Sequence, residues 1–349
     1  MHPRSTLNEF LSLSRIQEIL SSARSLRVGV VGDFTLDGYW HADMTRAALS
    51  RETPLFPRPV VRERYSCGGA ANVAWNLAAL GLAEVRAFTV LGEDWRGALL
   101  RQSLQEVGVD PRDILVDAGW STPFFGKVIL TSGSQQQEDS RLDFVNSNKL
   151  SVESEEELLD RLEARLSQLD ALIVADYQDI GVVTSRVLEG LNDLAARVER
   201  PIFTVDSRER IGQFQNMVRK PNEFEAARWL FPGRAPALVG LEEFAEAALY
   251  PQVNCGCPLF ITFGEKGCLV LSNGESHHVP AVQISPPVDP VGAGDTFLSA
   301  LTAALAVGAS PLEAASLGHL AASITARKLG VTGTASSEEI MAAAENLSA

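Results

Sequence analysis

The residues best suited to chemistry in this sequence form one short stretch, Asp289-Pro290-Val291-Gly292-Ala293-Gly294-Asp295-Thr296-Phe297. Gly292 and Gly294 free the backbone to curl, so that consecutive N–H groups can point at one spot. The apolar run that follows predicts a buried helix, which would place these amides at a helix N-terminus, where anions bind. A carboxylate beside such a site suits a base that takes a proton from an attacking hydroxyl group. Asp295 could equally be a helix cap after a glycine-rich turn.

A second glycine-rich segment, Gly68-Gly69-Ala70-Ala71-Asn72, opens another predicted helix. Its small residues would let a ligand approach the backbone closely, and the Asn72 side chain can both donate and accept hydrogen bonds. Close packing of this helix against a sheet would explain the same small residues. The segment alone leaves both interpretations open.

Several predicted strands end in an acidic residue. Asp33, Asp176 and Asp206 each close an apolar run, and Asp37 follows the first of them by four positions. Because ligands of open α/β sheets bind at the carboxyl ends of the strands, these acids indicate a polar site or a metal environment along one edge.

Asn222 and Glu225 are three residues apart at the start of another predicted helix and therefore share a face of its first turn. This spacing suits a hydrated Mg²⁺ ion near a nucleotide, since Mg²⁺ keeps several waters and takes few protein oxygens. The same spacing is also that of a capping box.

Composition excludes several classes of protein. The 349 residues are 46% hydrophobic and 21% charged, which is typical of a globular protein with a sizeable core. The net charge of −14 argues against nucleic acid or an anionic membrane as the main partner. No apolar run approaches the roughly 20 residues that span a bilayer, and no secretory pattern opens the sequence. The four cysteines lack disulfide or zinc spacing, with Cys255 and Cys257 only two apart, so we expect reduced thiols in a cytoplasmic protein.

Strand-like and helix-like patterns alternate along the chain and predict an α/β fold. Residues 1–25 predict an amphipathic helical extension, with a possible capping box at Thr6 and Glu9. Residues 26–349 predict a single domain. Segments of about 38–66 and 120–147 lack helical periodicity, and the first is rich in prolines and aromatics, which favours a small β lid. A polar hairpin tip is predicted at 132–138, and a last helix at 311–329.

In their order along the chain, these motifs resemble those of the ribokinase-like (PfkB) carbohydrate kinases, over essentially everything after residue 26. The resemblance implies a three-layer α/β/α fold with a central, mostly parallel sheet and a small β lid over the sugar. It implies an ATP-dependent sugar kinase in which Asp295 is the base and the amides of Gly292, Ala293 and Gly294 hold the charge of the transferred phosphoryl group.

The resemblance also assigns the binding residues. Asp37, Gly68, Gly69 and Asn72 would bind the sugar. Asn222 and Glu225 would organise Mg²⁺ around the ATP phosphates. The turn from Gly264 to Gly267 resembles the nucleotide-binding loop, and His319 stands near the adenine where the family usually has Asn. Asp289 falls where many members hold a monovalent cation such as K⁺.

Within the family, the sequence is most similar to kinases of D-glycero-D-manno-heptose 7-phosphate. The segments that carry this similarity are Gly32–Trp40, Ser50–Pro54, Arg141–Phe144 and Lys328–Gly330. The lid segment from Asp43 to Pro59 departs from the pattern, and the nucleotidyltransferase domain fused to some heptose kinases is not expected in this chain. A kinase for another sugar of the ribose or fructose type, and a non-catalytic sensor on the same fold, remain alternatives. The resemblance and the proline-rich segment 39–61 predict a homodimer formed through the lid.

Overall fold

The computed structural model describes residues 10–248 and 256–348 of the chain. The predicted Thr6–Glu9 capping box and Cys255 lie outside the described residues. The strands are β1 Arg27–Gly32, β2 Phe34–Asp43, β3 Val60–Gly69, β4 Glu84–Phe88, β5 Val90–Gly92, β6 Leu115–Asp117, β7 Phe124–Ser132, β8 Gln135–Phe144, β9 Ala171–Asp176, β10 Ile202–Ser207, β11 Val218–Arg219, β12 Leu259–Thr262, β13 Cys268–Ser272 and β14 Glu275–Val279. The helices are α1 Leu13–Ala23, α2 Ala70–Ala79, α3 Trp95–Glu106, α4 Val152–Leu166, α5 Ser185–Arg197, α6 Glu223–Leu230, α7 Leu241–Ala248, α8 Ala293–Ala306, α9 Pro311–Thr325 and α10 Ser337–Ser348.

Eight strands form the central sheet, in the order β14-β13-β12-β11-β10-β9-β1-β4. Six neighbouring strands run parallel, namely β4, β1, β9, β10, β11 and β12. Strands β13 and β14 are antiparallel additions at one edge. Alternate residues of β1 enter two separate cores, because Val28 and Val30 pack with α1, α2, α8 and α9, whereas Val31 packs with α4 and α5. A sheet covered on both faces needs nearly continuous apolar strands, as these are. The predicted three-layer fold with a mostly parallel sheet is confirmed.

A second sheet, the lid, has the strand order β3-β2-β7-β8. Its strands overlap the two predicted lid segments, but β2 begins before residue 38 and β3 ends after residue 66. Strand β2 follows β1 after the single residue Asp33. One face of the lid packs on the main domain through aromatic side chains: the Phe124 ring lies 5.3 Å from that of Trp40 and 5.7 Å from that of Trp95, at the start of α3. The other face covers the carboxyl ends of the parallel strands.

Helix α1 begins after Ser12, whose side chain accepts from the Arg15 N–H. Its apolar side chains Ile16, Ile19 and Leu20 are buried, as the amphipathic pattern predicts. The helix packs against α8 and α10. Among the described residues, the structure has no helix long and apolar enough to cross a membrane.

Two predictions near chain turns were wrong. The helix predicted over 311–329 stops at Thr325, since the Lys328 N–H turns back to the Thr325 carbonyl, and the unpredicted helix α10 follows. The hairpin tip predicted at 132–138 is shorter, because Gln135 already pairs with Ser132 across a two-residue turn. The polar residues after this turn belong to an exposed strand.

Candidate active site

A cavity of 330 Å³ lies between the carboxyl edge of the main sheet and the lid. It is lined by Thr35, Asp37, Tyr39, Gly69, Phe125, Lys127, Arg141, Tyr177, Gln178, Asp206, Arg208, Glu225, Val291, Gly292, Asp295 and Thr332. The carboxylates Asp206, Glu225 and Asp295 come from the main domain, whereas Lys127 and Arg141 come from the lid.

Asp295 lies in the first turn of α8, behind Gly292, which caps the helix with φ 80°. A side chain is strained at that φ, and a Cβ there would lie 3.1 Å from Asn72 Nδ2. The Ala293 N–H already donates to the Pro290 carbonyl at 3.1 Å. A Cβ at Gly294 would meet open space, so the backbone is accessible there. The structure therefore leaves the Gly292 and Gly294 amides better placed than that of Ala293 to meet an anion.

The Asp295 carboxylate is held by two donors. Asn72 Nδ2 donates to Oδ2 at 2.7 Å, and the Tyr177 hydroxyl lies 3.2 Å from Oδ1. Burial raises the pKa of Asp295 to about 6, and the charge of Asp206 adds to this rise, while the bonds from Asn72 and Tyr177 and the charge of Lys220 oppose it. At neutral pH the group is therefore mostly ionised, yet basic enough to accept a proton.

Tyr177 is positioned by Asp33. The buried Asp33 carboxylate accepts from the N–H groups of Tyr177 and Gln178, at 2.7 and 2.8 Å, and from that of Val182 at 2.7 Å. Burial raises its pKa to about 6, against the effect of these bonds. Asp33 thus fixes the loop after β9 and, through it, the Tyr177 hydroxyl.

The acids that end the other two strands have different surroundings. Asp176 is paired with Arg210 and also accepts from the Ser207 hydroxyl at 2.6 Å. Asp206 lines the cavity, and its Oδ2 lies 3.0 Å from the buried Lys220 Nζ. Of the three acids predicted to line one polar edge, Asp206 therefore faces the cavity, while Asp33 and Asp176 support the loops around it.

Lys220 supplies a buried positive charge among the carboxylates. Burial disfavours its charged form, but the charges of Asp206, Glu225 and Asp295 outweigh this and raise its pKa. The cation therefore stays charged and partly balances the three carboxylates.

Asn222 and Glu225 form a complete capping box. Asn222 Oδ1 accepts from the Phe224 and Glu225 N–H groups, both at 2.9 Å, and Glu225 Oε2 accepts from the Asn222 N–H at 2.7 Å. Both lone pairs of the amide oxygen are thereby used, so Asn222 positions Glu225, and Glu225 is the residue that faces the cavity. Burial raises the pKa of Glu225 to about 7, and Asp206 adds to the rise.

The predicted sugar-binding residues divide into two groups. Asp37 and Gly69 line the cavity, and Asp37 Oδ2 accepts from the Thr332 hydroxyl at 3.2 Å. Asn72 is fully buried behind Asp295, and Gly68 provides space for Asp37, since a Cβ there would lie 2.3 Å from Asp37 Oδ1.

Of the predicted nucleotide-binding residues, Glu225 lines this cavity, whereas Gly264, Gly267 and His319 are not part of its lining. Gly264 and Gly267, with φ of 56° and 101°, bound the turn between β12 and β13. His278 on β14 contacts the Lys266 carbonyl of this turn at 2.7 Å. His319 is buried with its ring against Phe297, and its Nε2 has no hydrogen-bond partner in the described part of the chain. Burial, and then the charge of His278, lowers the pKa of His319 to about 4, so its ring is neutral.

Asp289 links two loops. Its Oδ1 accepts from the Val291 N–H at 3.1 Å and its Oδ2 from the Gly330 N–H at 2.9 Å. The Gly330 carbonyl in turn accepts from the lid residue Arg64 at 2.8 Å. The loop before α8, the loop after α9 and the lid therefore meet at Gly330.

Sequence reasoning assigned no role in the site to several residues that line or support the cavity, namely Thr35, Lys127, Arg141, Tyr177 and Lys220. Thr35 could have been found from the strand period, because it lies two residues before Asp37 and shares its face. Its side chain lines the cavity, and its buried Oγ1 has no hydrogen-bond partner among the described residues.

A model of the pfkB family of carbohydrate kinases matches residues 57–338. The chain belongs to this family. It is accordingly a carbohydrate kinase, a phosphotransferase with an alcohol group as acceptor, and family membership supports catalysis over the sensor alternative.

Curated relatives of this kinase carry the name bifunctional protein HldE. That of Geotalea uraniireducens is 33% identical over 331 residues, which are 94% of this chain and 64% of that protein. That of Trichlorobacter lovleyi is 33% identical over 334 residues, 94% of this chain and 65% of that protein. The kinase thus spans slightly less than two thirds of the length of these relatives.

Solved structures confirm the ribokinase-like fold. Ribokinase from Thermotoga maritima has a TM-score of 0.66 and 23% identity, covering 92% of this chain and 100% of that one. Arabidopsis thaliana ribokinase complexed with ribose and ATP has a TM-score of 0.66 and 19% identity, covering 92% and 99%. Phosphofructokinase-2 from Escherichia coli in complex with potassium has a TM-score of 0.68 and 20% identity, covering 93% and 100%.

Proposed function

We propose that this kinase transfers the γ-phosphoryl group of ATP to a hydroxyl group of D-glycero-D-manno-heptose 7-phosphate. The observation that carries the proposal is the Asp295 carboxylate, held between Asn72 and Tyr177 at a helix N-terminus that opens into a cavity. The choice of sugar phosphate rests on the sequence resemblance to heptose 7-phosphate kinases, on the HldE relatives and on the cations in the cavity wall.

In this proposal Asp295 accepts the proton of the sugar hydroxyl while the hydroxyl oxygen forms a bond to the γ-phosphorus. The bond from that phosphorus to the bridging oxygen breaks, and ADP leaves. The Gly292 and Gly294 amides at the start of α8 would stabilise negative charge on the transferred group, with Ala293 between them. This role for the amides follows from the helix dipole and the open space at Gly294.

The acceptor would lie against Asp37, Gly69 and Thr35. A carboxylate that accepts and a hydroxyl without a partner suit the hydroxyl groups of a sugar. Gly68 and Asn72 contribute indirectly, by making space for Asp37 and by orienting Asp295.

ATP would lie along the flank formed by Gly264, Gly267 and His319, with its phosphates near Glu225 and Asn222. The described residues contain no group of three or more His, Cys, Asp or Glu that could hold a metal ion. The Glu225 carboxylate, which faces the cavity, still fits hydrated Mg²⁺, because this ion takes few protein oxygens. The ion would neutralise charge on the β- and γ-phosphates. We therefore assign Glu225 to Mg²⁺ through water, with Asn222 holding it in place.

Asp289 would hold a monovalent cation such as K⁺ beside the α8 N-terminus. Each of its carboxylate oxygens accepts one backbone N–H and keeps lone-pair capacity for an ion. We expect turnover to increase when K⁺ replaces a large organic cation in the buffer. This increase should be lost in Asp289→Asn.

We further propose a homodimer formed through the lid. The lid strands expose apolar side chains, among them Val60, Val61, Leu142 and Phe144, and β3 and β8 are the edge strands of the lid sheet. Light scattering at working concentration checks this, and the mass of a single chain would exclude it.

The central test measures ADP release with a panel of sugars and sugar phosphates for wild type, Asp295→Asn and the exposed control Asp193→Asn. We expect turnover with heptose 7-phosphate, a loss on the order of 10²–10⁴ in kcat for Asp295→Asn, and little change for the control. Comparable turnover by Asp295→Asn would refute the assigned base, and turnover of another sugar alone would refute the proposed substrate.

A further inference from the structure

A row of cations crosses the cavity side of the lid. Strand pairing sets Arg64 opposite Tyr39, Tyr39 opposite Lys127, and Lys127 opposite Arg141. Residues paired across neighbouring strands point to the same face of a sheet. Tyr39, Lys127 and Arg141 line the cavity, so this part of the row faces the site.

Two like charges directly opposite each other destabilise an antiparallel strand pair. Lys127 and Arg141 are such a pair, and the carboxylates near them compensate only in part. Arg141 Nε lies 2.7 Å from Asp143 Oδ1, and Lys127 Nζ lies 3.7 Å from Glu138 Oε2. Because both side chains keep access to the cavity, an anion between them would relieve the repulsion.

Local features direct both cations towards the cavity. The Arg141 guanidinium lies 4.6 Å from the centre of the Phe125 ring, and Lys127 Nζ lies 6.0 Å from that of Tyr39. The pairing of β7 with β8 shifts register just after Lys127. Such bulges re-aim side chains beside active sites.

We propose that Lys127 and Arg141 bind the phosphate group already carried by the acceptor sugar, so that the lid selects a phosphorylated sugar. The inference rests on the proposed function, since it concerns the same cavity. A phosphate dianion accepts from the guanidinium fork and the ammonium group at once. The charges of Arg141 and Lys127 both favour the ionised form of Asp37, so the two cations are near this carboxylate. The subsite is therefore beside the residue proposed to bind sugar hydroxyls.

The test compares kcat and KM for D-glycero-D-manno-heptose 7-phosphate and for unphosphorylated D-glycero-D-manno-heptose. The variants are Lys127→Gln, Arg141→Gln, the conservative Lys127→Arg, and the control Arg62→Gln, which removes a lid cation outside the cavity lining. We expect each Gln variant to raise KM for the phosphorylated sugar about 10- to 100-fold, with kcat and the unphosphorylated sugar little affected. Lys127→Arg should recover most of the affinity, and Arg62→Gln should match wild type.

The two proposals fail differently. If wild type turns over heptose 7-phosphate but the Gln variants keep its KM, or weaken both sugars equally, the phosphate subsite is refuted and the proposed function stands. If wild type does not turn over heptose 7-phosphate, the proposed substrate is refuted. Calorimetry with ribose 5-phosphate and fructose 6-phosphate against the free sugars then decides the subsite. The subsite is supported if wild type binds the phosphorylated sugars more tightly than the free sugars and Lys127→Gln abolishes this difference. Equal binding of phosphorylated and free sugars by wild type overturns it.

Discussion

The two sides of the cavity are built on opposite electrostatic principles. The floor, which we define as Asp33, Tyr177, Asp206, Lys220 and Asp295, is a closed network in which each polar group already contacts a partner. On the lid, Lys127 and Arg141 face each other, and in the described chain Arg64 has no carboxylate partner. The floor is therefore organised before substrate arrives, as catalysis by fixed groups requires, whereas Lys127 and Arg141 on the lid would gain further charge compensation from the proposed phosphate group.

The largest effect is expected from removing the buried cation of the floor. Lys220→Met leaves Asp206 next to Glu225 and Asp295 without compensation, and breaking a buried ion pair at one partner costs about 3–5 kcal/mol. Lys127→Met on the lid should change the free energy of unfolding by less than about 0.5 kcal/mol, since it also relieves repulsion. Urea unfolding of both variants checks this. Equal losses would erase the distinction between floor and lid.

The second prediction concerns the stability of the floor against pH. The raised pKa of Asp295, about 6, means that the folded protein binds this proton more tightly than the unfolded chain does. The ionised carboxylate therefore lowers the free energy of unfolding above pH 6, and this penalty disappears as both states become protonated at lower pH. We expect Asp295→Asn to unfold with a free energy higher by on the order of 2 kcal/mol at pH 8, and with no gain near pH 4. A gain that is constant with pH would contradict this origin.

Removing the Tyr177 hydroxyl, which contacts the proposed base Asp295, should have a smaller effect. Tyr177→Phe loses a donor to Asp295, so the pKa of Asp295 rises further and the remaining carboxylate is less well oriented. We expect about a tenfold loss in kcat/KM and an acidic limb that moves above its wild-type position near pH 6. The lid variant Tyr65→Phe, which removes a hydroxyl bonded to Glu63, serves as the control and should leave the pH profile in place.

The smallest effect is expected from an ion pair at the margin of the lid. Arg58 and Asp139 are 2.7 Å apart, but the arginine side chain is 47% exposed. Arg58→Gln should lower the free energy of unfolding by less than about 1 kcal/mol, because exposed pairs are screened by solvent. Thermal unfolding at low and high salt measures this loss, and a value as large as that for Lys220→Met would show that the lid is as tightly organised as the floor.

The sequence was informative where a local pattern decides the structure. The glycines before Asp295 and the apolar run after it predict a loop and a helix with no help from distant residues, and both are present. Strand-ending acids likewise follow from periodicity. The different roles of these acids cannot be predicted from periodicity. Whether Asp33 supports a loop or faces a ligand depends on amides more than 140 positions away.

The lid shows the same limit more strongly. That Lys127 opposes Arg141 depends on the length of the hairpin turn, and the predicted tip was too long by several residues. The burial of Lys220 could not be predicted for another reason, since a lysine beside a proline is typical of an exposed turn. Its burial follows from the three carboxylates that the fold collects around it.

The hydrogen bonds at Gly330 have a mechanical consequence. This residue is held through its N–H by Asp289, at the start of the α8 loop, and through its carbonyl by Arg64 on the lid strand β3. If the lid moved away from the cavity, the bond from Arg64 would either break or pull Gly330 with it. In the second case the displacement would reach the loop that carries Gly292, so that opening of the lid would loosen the proposed anion site at the same moment. One glycine would then couple substrate entry to the assembly of the proposed catalytic loop.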